Sequence, residues 1–241
     1  MKFQTLSIII PAYNESAHIK TVIKRVVETD MHLPVQKEII IVDDGSIDDT
    51  YRIVSDFASN IKDLNIILLQ NEQNRGKGYS VRKALKHISG NIVLIQDADL
   101  EYDPAEYDEL IAPIVEGHAD VVYGSRFTGA KPQRKLYFWH NVGNKFITFM
   151  SNLFTGLNLT DIETCFKAFR SDIIKSINLY ENRFGFEPEV TAKISRILGV
   201  RIYEIGISYY GRTYKEGKKV KWFDGLYAIW CILTYNVWKR K

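Results

Sequence analysis

The sequence predicts an α/β fold in which a mainly parallel sheet carries helices on both faces. Three observations lead there. Strand-like runs of β-branched residues alternate with helix-like segments through the first half of the chain. The runs are continuously apolar, as strands covered on both faces must be. They also break off into polar clusters, and open α/β sheets present functional side chains at strand ends.

Leu6 to Ile10 is an apolar run stopped by Pro11, and Ile19, Val22, Ile23, Val26 and Val27 recur at the spacing of an amphipathic helix. Glu38 to Val42 is the next strand. It ends in Asp43-Asp44-Gly45-Ser46, and Asp48 or Asp49 caps the helix that follows. Asn65 to Leu69 is a third strand, Lys77 to Ile88 a third helix, and Asn91 to Ile95 a fourth strand. A helix near Ala105 to Glu116 leads to a fifth strand, Asp120 to Tyr123. From Gly124 the rhythm changes, and residues 125–160 are basic and aromatic. Thr164 to Phe169 reads as a strand, Val190, Ile194, Ile197 and Leu198 as a helical stripe, and Val200 to Ile207 as an alternating strand. With no repeat or low-complexity linker, the expected organisation is one domain over residues 1–211 and an appendage over 212–241.

Composition narrows the class. With 241 residues and 46% hydrophobic content the chain can build a full core, which excludes disorder. A net charge of +3 is too small to argue for nucleic acid. Cys165 and Cys231 form neither a metal-ligand spacing nor a disulfide framework, so a reducing compartment is the simpler reading. No signal-peptide layout precedes the first strand. No stretch reaches the about 18 to 20 apolar residues of a membrane span; Leu226 to Trp238 comes nearest and carries Thr234 and Asn236.

The most informative stretch is Ile92 to Leu100, an apolar run that ends in Asp97 and Asp99, with Glu101 next. Two readings stand open. Carboxylates leaving a strand tip together repel unless a cation lies between them, which suits a hard divalent ion. Alternatively the stretch is an acidic turn capping the helix that begins at Asp103-Pro104. Three further strand ends join it: Pro11 to Glu15, Asp43 to Ser46, and Asn74 to Gly78 around Lys77. A tyrosine ring, a rim of carboxylates and a Gly-flanked lysine suit a nucleotide, although Gly76-Lys77-Gly78 also serves as a plain turn before a helix. Neither a G-x-G-x-x-G fingerprint nor a P-loop is present.

As a linked set, SIIIPAYNE (Ser7 to Glu15), IVDDGSIDDT (Ile41 to Thr50), NRGKG (Asn74 to Gly78), DADLE (Asp97 to Glu101) and GSRF (Gly124 to Phe127) resemble family 2 glycosyltransferases. Within that family the chain looks most like the dolichyl- and polyprenyl-phosphate mannosyltransferase and glucosyltransferase group, over roughly residues 5–220. The resemblance implies a GT-A fold, a nucleotide-sugar donor and a Mg²⁺ or Mn²⁺ ion. It puts Pro11, Tyr13, Glu15 and Asp44 in the nucleoside pocket with Val42 beside them. It makes Asp97, Ala98 and Asp99 the metal and diphosphate motif, with Glu101 completing the metal shell where relatives often carry Gln. Arg126 falls near the transferred sugar and acceptor phosphate, and Arg212 with Lys218 matches a pair that clamps the donor diphosphate. Asp161 to Lys167 resembles the block that floors the sugar pocket; its other reading is a capped strand entry. Phe184 to Glu189 aligns with a block whose last acid faces the reacting centre. Glu189 fits the block better, and Glu187 stays open.

The implied reaction is metal-dependent, inverting transfer of a hexose, of the GDP-mannose or UDP-glucose type, to polyprenyl phosphate. A phosphate monoester has a second pKa of about 6 and is already nucleophilic at neutral pH, so this acceptor needs positive charge and no strong base. The alternative acceptor is a saccharide hydroxyl, with Glu189 or Glu187 as base. Two other classes fit the sequence less well. A sugar-1-phosphate nucleotidyltransferase needs a Gly-rich loop that is missing, and the intact acidic and basic sets argue against a non-catalytic binding module.

Trp222, Leu226, Trp230, Leu233 and Val237 form one stripe flanked by Lys215, Lys218, Lys219, Lys221, Lys239, Arg240 and Lys241. An interfacial helix on anionic lipid has this layout; so, less the charges, does a helix closing over a core. Phe146 to Leu157 is a second, weaker lipid-contact segment. The appendage is therefore expected to be a donor-closing loop and an interfacial helix. The enzyme is expected in the cytoplasm, peripheral on the inner face of the membrane.

Overall fold

A computed structural model describes residues 4–61, 64–135, 137–213, 216–217, 219 and 222–238. In chain order the elements are β1 (Gln4–Ala12), α1 (Ile19–Glu28), β2 (Val35–Asp43), α2 (Thr50–Ser59), β3 (Asn65–Gln70), α3 (Lys77–Ala84) and β4 (Ile92–Ile95). A short 3₁₀ turn (Pro104–Glu106) then precedes α4 (Tyr107–Val115), β5 (Val121–Ser125), α5 (Phe138–Thr155) and β6 (Lys167–Arg170). α6 (Ser171–Ser176), α7 (Phe186–Ile194), β7 (Ile202–Gly206) and α8 (Trp222–Leu233) complete the order, and a π turn (Thr234–Trp238) continues α8.

The strands form one seven-stranded sheet in the order β3-β2-β1-β4-β6-β5-β7. All neighbours run parallel except β6, which is antiparallel to both β4 and β5. The continuous apolar runs follow from burial on both faces. Along β1, Ile8 and Ile10 join one core layer with Val22, Ile23, Val26 and Leu110, while Ile9 joins the other with Val81, Val190 and Ile232. β2 divides the same way, with Ile39 and Ile41 on one side and Ile40 and Val42 on the other.

Some boundaries differ from expectation. The strand expected from Thr164 begins at Lys167, because the Lys167 ammonium folds back onto the carbonyls of Ile162 and Thr164 and holds that stretch as a turn. α3 stops at Ala84. α7 stops at Ile194, and Leu198, expected on its stripe, is fully exposed beside Gly199, whose φ is +75°. Asp103, rather than the acids before it, accepts from the Ala105 N–H at 3.1 Å and opens the turn at Pro104. The capping reading therefore belongs to Asp103, which leaves Asp97, Asp99 and Glu101 free for another role. At α2 the carboxylate that holds the helix start is Asp48, 3.0 Å from the Thr50 N–H.

α8 packs on α5 and α7. Its Ala228, Cys231 and Ile232 are buried there, while Trp222, Leu226 and Trp230 point outward. One face of the helix therefore closes over the core, and the other carries exposed apolar side chains. Among the described residues no helix is long and apolar enough to cross a membrane.

Candidate active site

Loops leaving β1, β2 and β4, together with the turn before α3, converge on one side of the sheet. They border a cavity of about 1050 Å³. Local hydrogen bonds set each loop. After β1, Asn14 sits at φ 48°, accepts at Oδ1 from the Ile47 N–H at 2.9 Å, and donates its own N–H to Ser46 Oγ at 2.9 Å. The Glu15 N–H donates to Thr50 Oγ1 at 2.9 Å, so the β1 loop is laced to the β2 loop and α2. After β2, the Asp44 carboxylate accepts from the N–H groups of Arg75 (3.0 Å) and Gly76 (2.7 Å) and from Asn71 Nδ2 (2.7 Å). Gly76 holds φ 97°, and a Cβ there would meet the Asn182 carbonyl at 2.4 Å, so this turn requires glycine. The turn delivers Lys77 as the first residue of α3 with its ammonium inside the cavity.

Charges pair across the site. Lys77 Nζ lies 2.8 Å from Asp97 and 3.2 Å from Glu187. Burial alone would lower its pKa, but Asp97 and Glu187 outweigh that and hold it protonated. Arg212 reaches Asp99 at 2.6 Å, Glu15 at 3.3 Å and Glu101 at 3.5 Å. Its backbone N–H also donates to Glu101 at 2.8 Å. Lys219 lies 2.7 Å from Glu15 and bonds the Tyr13 carbonyl. Burial, with Asp97 and Glu101 close by, pushes the Asp99 carboxyl up to about 8 against the pull of Arg212. Negative potential is therefore in surplus here, the condition a bound cation relieves.

Pro11, Tyr13, Glu15, Asp44, Lys77, Asp97, Ala98, Asp99, Glu101, Arg126 and Arg212 all line the cavity. Val42 does not: it is fully buried in the core layer beneath. Lys218 lies outside the described residues. The two acids of α7 separate cleanly. Glu187 is on the cavity wall, whereas Glu189 faces away from it. The Glu189 carboxylate accepts from the N–H groups of Tyr180 (2.8 Å) and Glu181 (2.8 Å) and from Lys193 Nζ (2.5 Å). Glu189, the acid that fitted the sequence block better, thus ties α7 to the preceding loop and does not line the cavity, whereas Glu187 does. Arg126 is held by Asp161, Nε to Oδ2 at 2.6 Å and Nη2 to Oδ1 at 2.8 Å, and lies over the Tyr209 ring. Sequence reasoning did not single out Tyr209 or Arg183, and placed Lys219 only among the basic flanks of α8 and Glu163 only within the Asp161 to Lys167 block, yet each borders the cavity.

The chemistry of the donor set fits a hard divalent ion, because Asp97, Asp99 and Glu101 offer only carboxylate oxygens, while the buried Arg212 Nε, a donor without a hydrogen-bond partner, suits an anionic group beside them. Among the described residues no three such side chains already converge as a formed shell. Lys77 draws Asp97 to one side and Arg212 draws Asp99 and Glu101 to the other.

Comparison with known proteins agrees with this architecture. The profile of Glycosyl transferase family 2 matches residues 7–177, and the chain belongs to that family. It is a glycosyltransferase with a GT-A-like fold. Among curated relatives, it is 29% identical over 235 residues to the undecaprenyl-phosphate 4-deoxy-4-formamido-L-arabinose transferase of Proteus mirabilis, covering 97% of this chain and 69% of that one. For the enzyme of the same description from Edwardsiella ictaluri the match is 28% and spans 63% of that chain. A UDP-N-acetylglucosamine–dolichyl-phosphate N-acetylglucosaminyltransferase of Methanococcus voltae is 30% identical over 191 residues, 74% of each chain. Among solved structures, glucosyl-3-phosphoglycerate synthase of Mycobacterium tuberculosis with Mn²⁺, UDP and glucosyl-3-phosphoglycerate superposes with TM-score 0.73 at 21% identity, over 97% of this chain and 80% of that one. The same enzyme with Mg²⁺ and UDP gives 0.71 at 20% identity, over 97% and 79%.

Proposed function

We propose that this enzyme transfers a hexose, of the GDP-mannose or UDP-glucose type, from a nucleotide sugar to a polyprenyl phosphate at a membrane surface, with inversion. The observation that carries the reading is the composition of one continuous cavity. Carboxylates, Lys77 and Arg212 line it together with Tyr137, Phe138, Trp139, Phe184 and Trp222. A charged donor suits the first set and a lipid-borne acceptor the second. The curated relatives are named for lipid-phosphate acceptors, which supports the same choice.

Pro11, Tyr13, Glu15 and Asp44 bind the nucleoside, and Asp97, Asp99 and Glu101 hold a Mg²⁺ or Mn²⁺ ion. When bound, that ion offsets negative charge growing on the donor diphosphate. Arg212 and Lys77 add fixed positive charge for the same diphosphate. Lys218 belongs to the same proposed clamp. An oxygen of the acceptor phosphate attacks the anomeric carbon as the bond to the diphosphate breaks, and the electron pair leaves on the nucleotide. One displacement inverts configuration. Arg126, fixed by Asp161, positions the sugar and acceptor phosphate and does not move a proton.

Glu187 bears on the acceptor. Its carboxylate is already engaged by two ammonium groups, Lys167 at 2.6 Å and Lys77 at 3.2 Å. That favours an acceptor that is already an anion over a saccharide hydroxyl.

Residues 212–241 act as a donor-closing strap followed by an interfacial helix. Trp222, Leu226 and Trp230 on α8 and Phe146, Phe149 and Leu153 on α5 are exposed apolar side chains on two helices packed together, and Trp222 also lines the cavity. This surface docks on anionic lipid, peripherally on the inner face of the membrane, with the soluble part in the cytoplasm. The basic residues flanking α8, apart from Lys219, lie outside the described residues. The test is to incubate a panel of nucleotide sugars with polyprenyl phosphate and Mn²⁺ and weigh the lipid fraction. A mass gain of one hexose on the lipid phosphate supports the reading, and unchanged lipid across the panel contradicts it.

A further inference from the structure

We propose that Glu163, with Glu187 beside it, recognises hydroxyl groups of the transferred sugar and sets which donor sugar the enzyme accepts. The inference deepens, and rests on, the donor reading above. The cavity floor below Asp97 is built from Lys77, Glu163, Cys165 and Glu187. One ammonium, that of Lys77, touches both Asp97 and Glu187, so this floor adjoins the proposed diphosphate-binding residues.

One acceptor atom on the floor is unmatched. Glu163 Oε1 is buried and has no hydrogen-bond partner, whereas Glu187 Oε1, though without a hydrogen bond, faces the Lys77 ammonium at 3.2 Å. A buried acceptor left without a donor is costly, so such an atom in a cavity wall marks where an occupant supplies donors. The protein's own nearby donors are spent elsewhere. The Lys167 ammonium bonds the carbonyls of Ile162 and Thr164 and the other oxygen of Glu187. The Arg126 guanidinium is committed to Asp161. Burial, and next the Glu187 charge, pushes the Glu163 carboxyl up to about 7, consistent with a group that lacks donors.

The missing donors identify the ligand class. A prenyl chain has none, and a diphosphate is itself an acceptor. A sugar ring bearing free hydroxyls supplies several, and in a nucleotide sugar it is joined to the diphosphate, whose proposed binding residues this floor adjoins through Lys77. Two carboxyl groups facing the ring also repel a sugar that carries its own carboxylate. The floor therefore selects a neutral, hydroxyl-rich hexose and rejects a uronic acid.

The test is calorimetric titration of the full chain, saturated with Mn²⁺, with UDP, UDP-glucose, UDP-glucuronic acid, GDP and GDP-mannose. One hexose nucleotide is expected to bind at least about tenfold more tightly than its bare nucleotide. UDP-glucuronic acid should show no such gain over UDP. Glu163→Gln should remove most of the gain while leaving affinity for the bare nucleotide within about twofold of wild type. Singly deoxyfluorinated analogues of the favoured sugar keep the wild-type protein as an independent probe, because fluorine cannot donate. At least one should lose about tenfold, and Glu163→Gln should not discriminate against that same analogue. Retention of the full gain in Glu163→Gln, or parent-like binding of every analogue, overturns the proposal. So does a fall in kcat with the gain intact, which would make Glu163 a base. Failure to bind either nucleotide would defeat the donor reading itself, and this inference with it.

Discussion

Arg212 and Asp99 lie 113 residues apart in sequence, and their side chains meet at 2.6 Å. Asp99 comes from the tip of β4 at the middle of the sheet, and Arg212 from the segment that follows β7 at its edge. The contact joins the C-terminal segment to the centre of the cavity. It also supplies positive charge to a cluster whose carboxylates otherwise repel one another.

Asp99→Asn tests the acid side of this pair. Removing one carboxylate from the proposed metal set should reduce transfer to well under a tenth of wild-type kcat while the fold persists by circular dichroism. Retention of more than about a tenth, ~1.4 kcal/mol or less of barrier, would rule out the assigned role.

The strap prediction concerns the basic side. If the segment from Arg212 to Lys219 closes over the donor diphosphate, trypsin cleavage within it should slow several-fold when UDP or GDP is added together with Mn²⁺. Arg212→Gln should abolish that protection. Equal cleavage with and without ligand would show that the segment does not respond to the donor.

Membrane docking is separable from chemistry. α8 closes the core with Ala228, Cys231 and Ile232, so deleting the helix would unfold the enzyme as well as release it. Point changes on the outer face avoid this. Trp230→Ser combined with Phe149→Ser and Leu153→Ser removes exposed apolar area that does not line the cavity. With about 1.5 to 3 kcal/mol for each large apolar side chain buried, binding to anionic vesicles should weaken by far more than tenfold. Transfer to a short, water-soluble prenyl phosphate should stay within about threefold. Equal loss toward both acceptors would make this face structural.

Asp120 gives an acid-stability prediction. Its carboxylate bonds Arg201 at 2.9 and 3.0 Å and Arg170 at 2.8 Å, which holds its pKa well below the usual carboxylate range. The unfolded chain therefore binds the proton more readily. The resulting stability is fully present above the unfolded pKa of about 3.9 and is lost as pH falls below it. Asp120→Asn should lower urea-unfolding stability by about 1.5 to 3 kcal/mol near neutral pH, with the gap to wild type narrowing below about pH 4. A gap that does not change with pH would contradict this.

Much of the sheet was open to reading because local chemistry matches its final state. Ile8, Ile9 and Ile10 form an unbroken run because the two faces of β1 are both covered, and Ile19 to Val26 carry their stripe on a helix that buries one side. β6 was harder. Its direction is set by contacts with β4 and β5, which no local pattern encodes. The strand-end acids and Lys77 were found because they follow apolar runs directly. The choice between Glu187 and Glu189 turned on which of two neighbouring acids met the N–H groups of Tyr180 and Glu181, a tertiary fact. Glu163 was legible only as a member of the Asp161 to Lys167 block, because its lack of donors is visible only once Lys167 and Arg126 are seen to be committed elsewhere.

The central claim is that the nucleophile is a lipid-borne phosphate. The most direct test is one competition reaction containing nucleotide sugar, Mn²⁺, and equal amounts of polyprenyl phosphate, the matching polyprenol and a free saccharide, with products weighed by mass spectrometry. The account predicts hexose on polyprenyl phosphate alone, since the phosphate needs no base and Glu187 is held between two lysines. Hexose on the polyprenol or the saccharide, with the phosphate untouched, would contradict it.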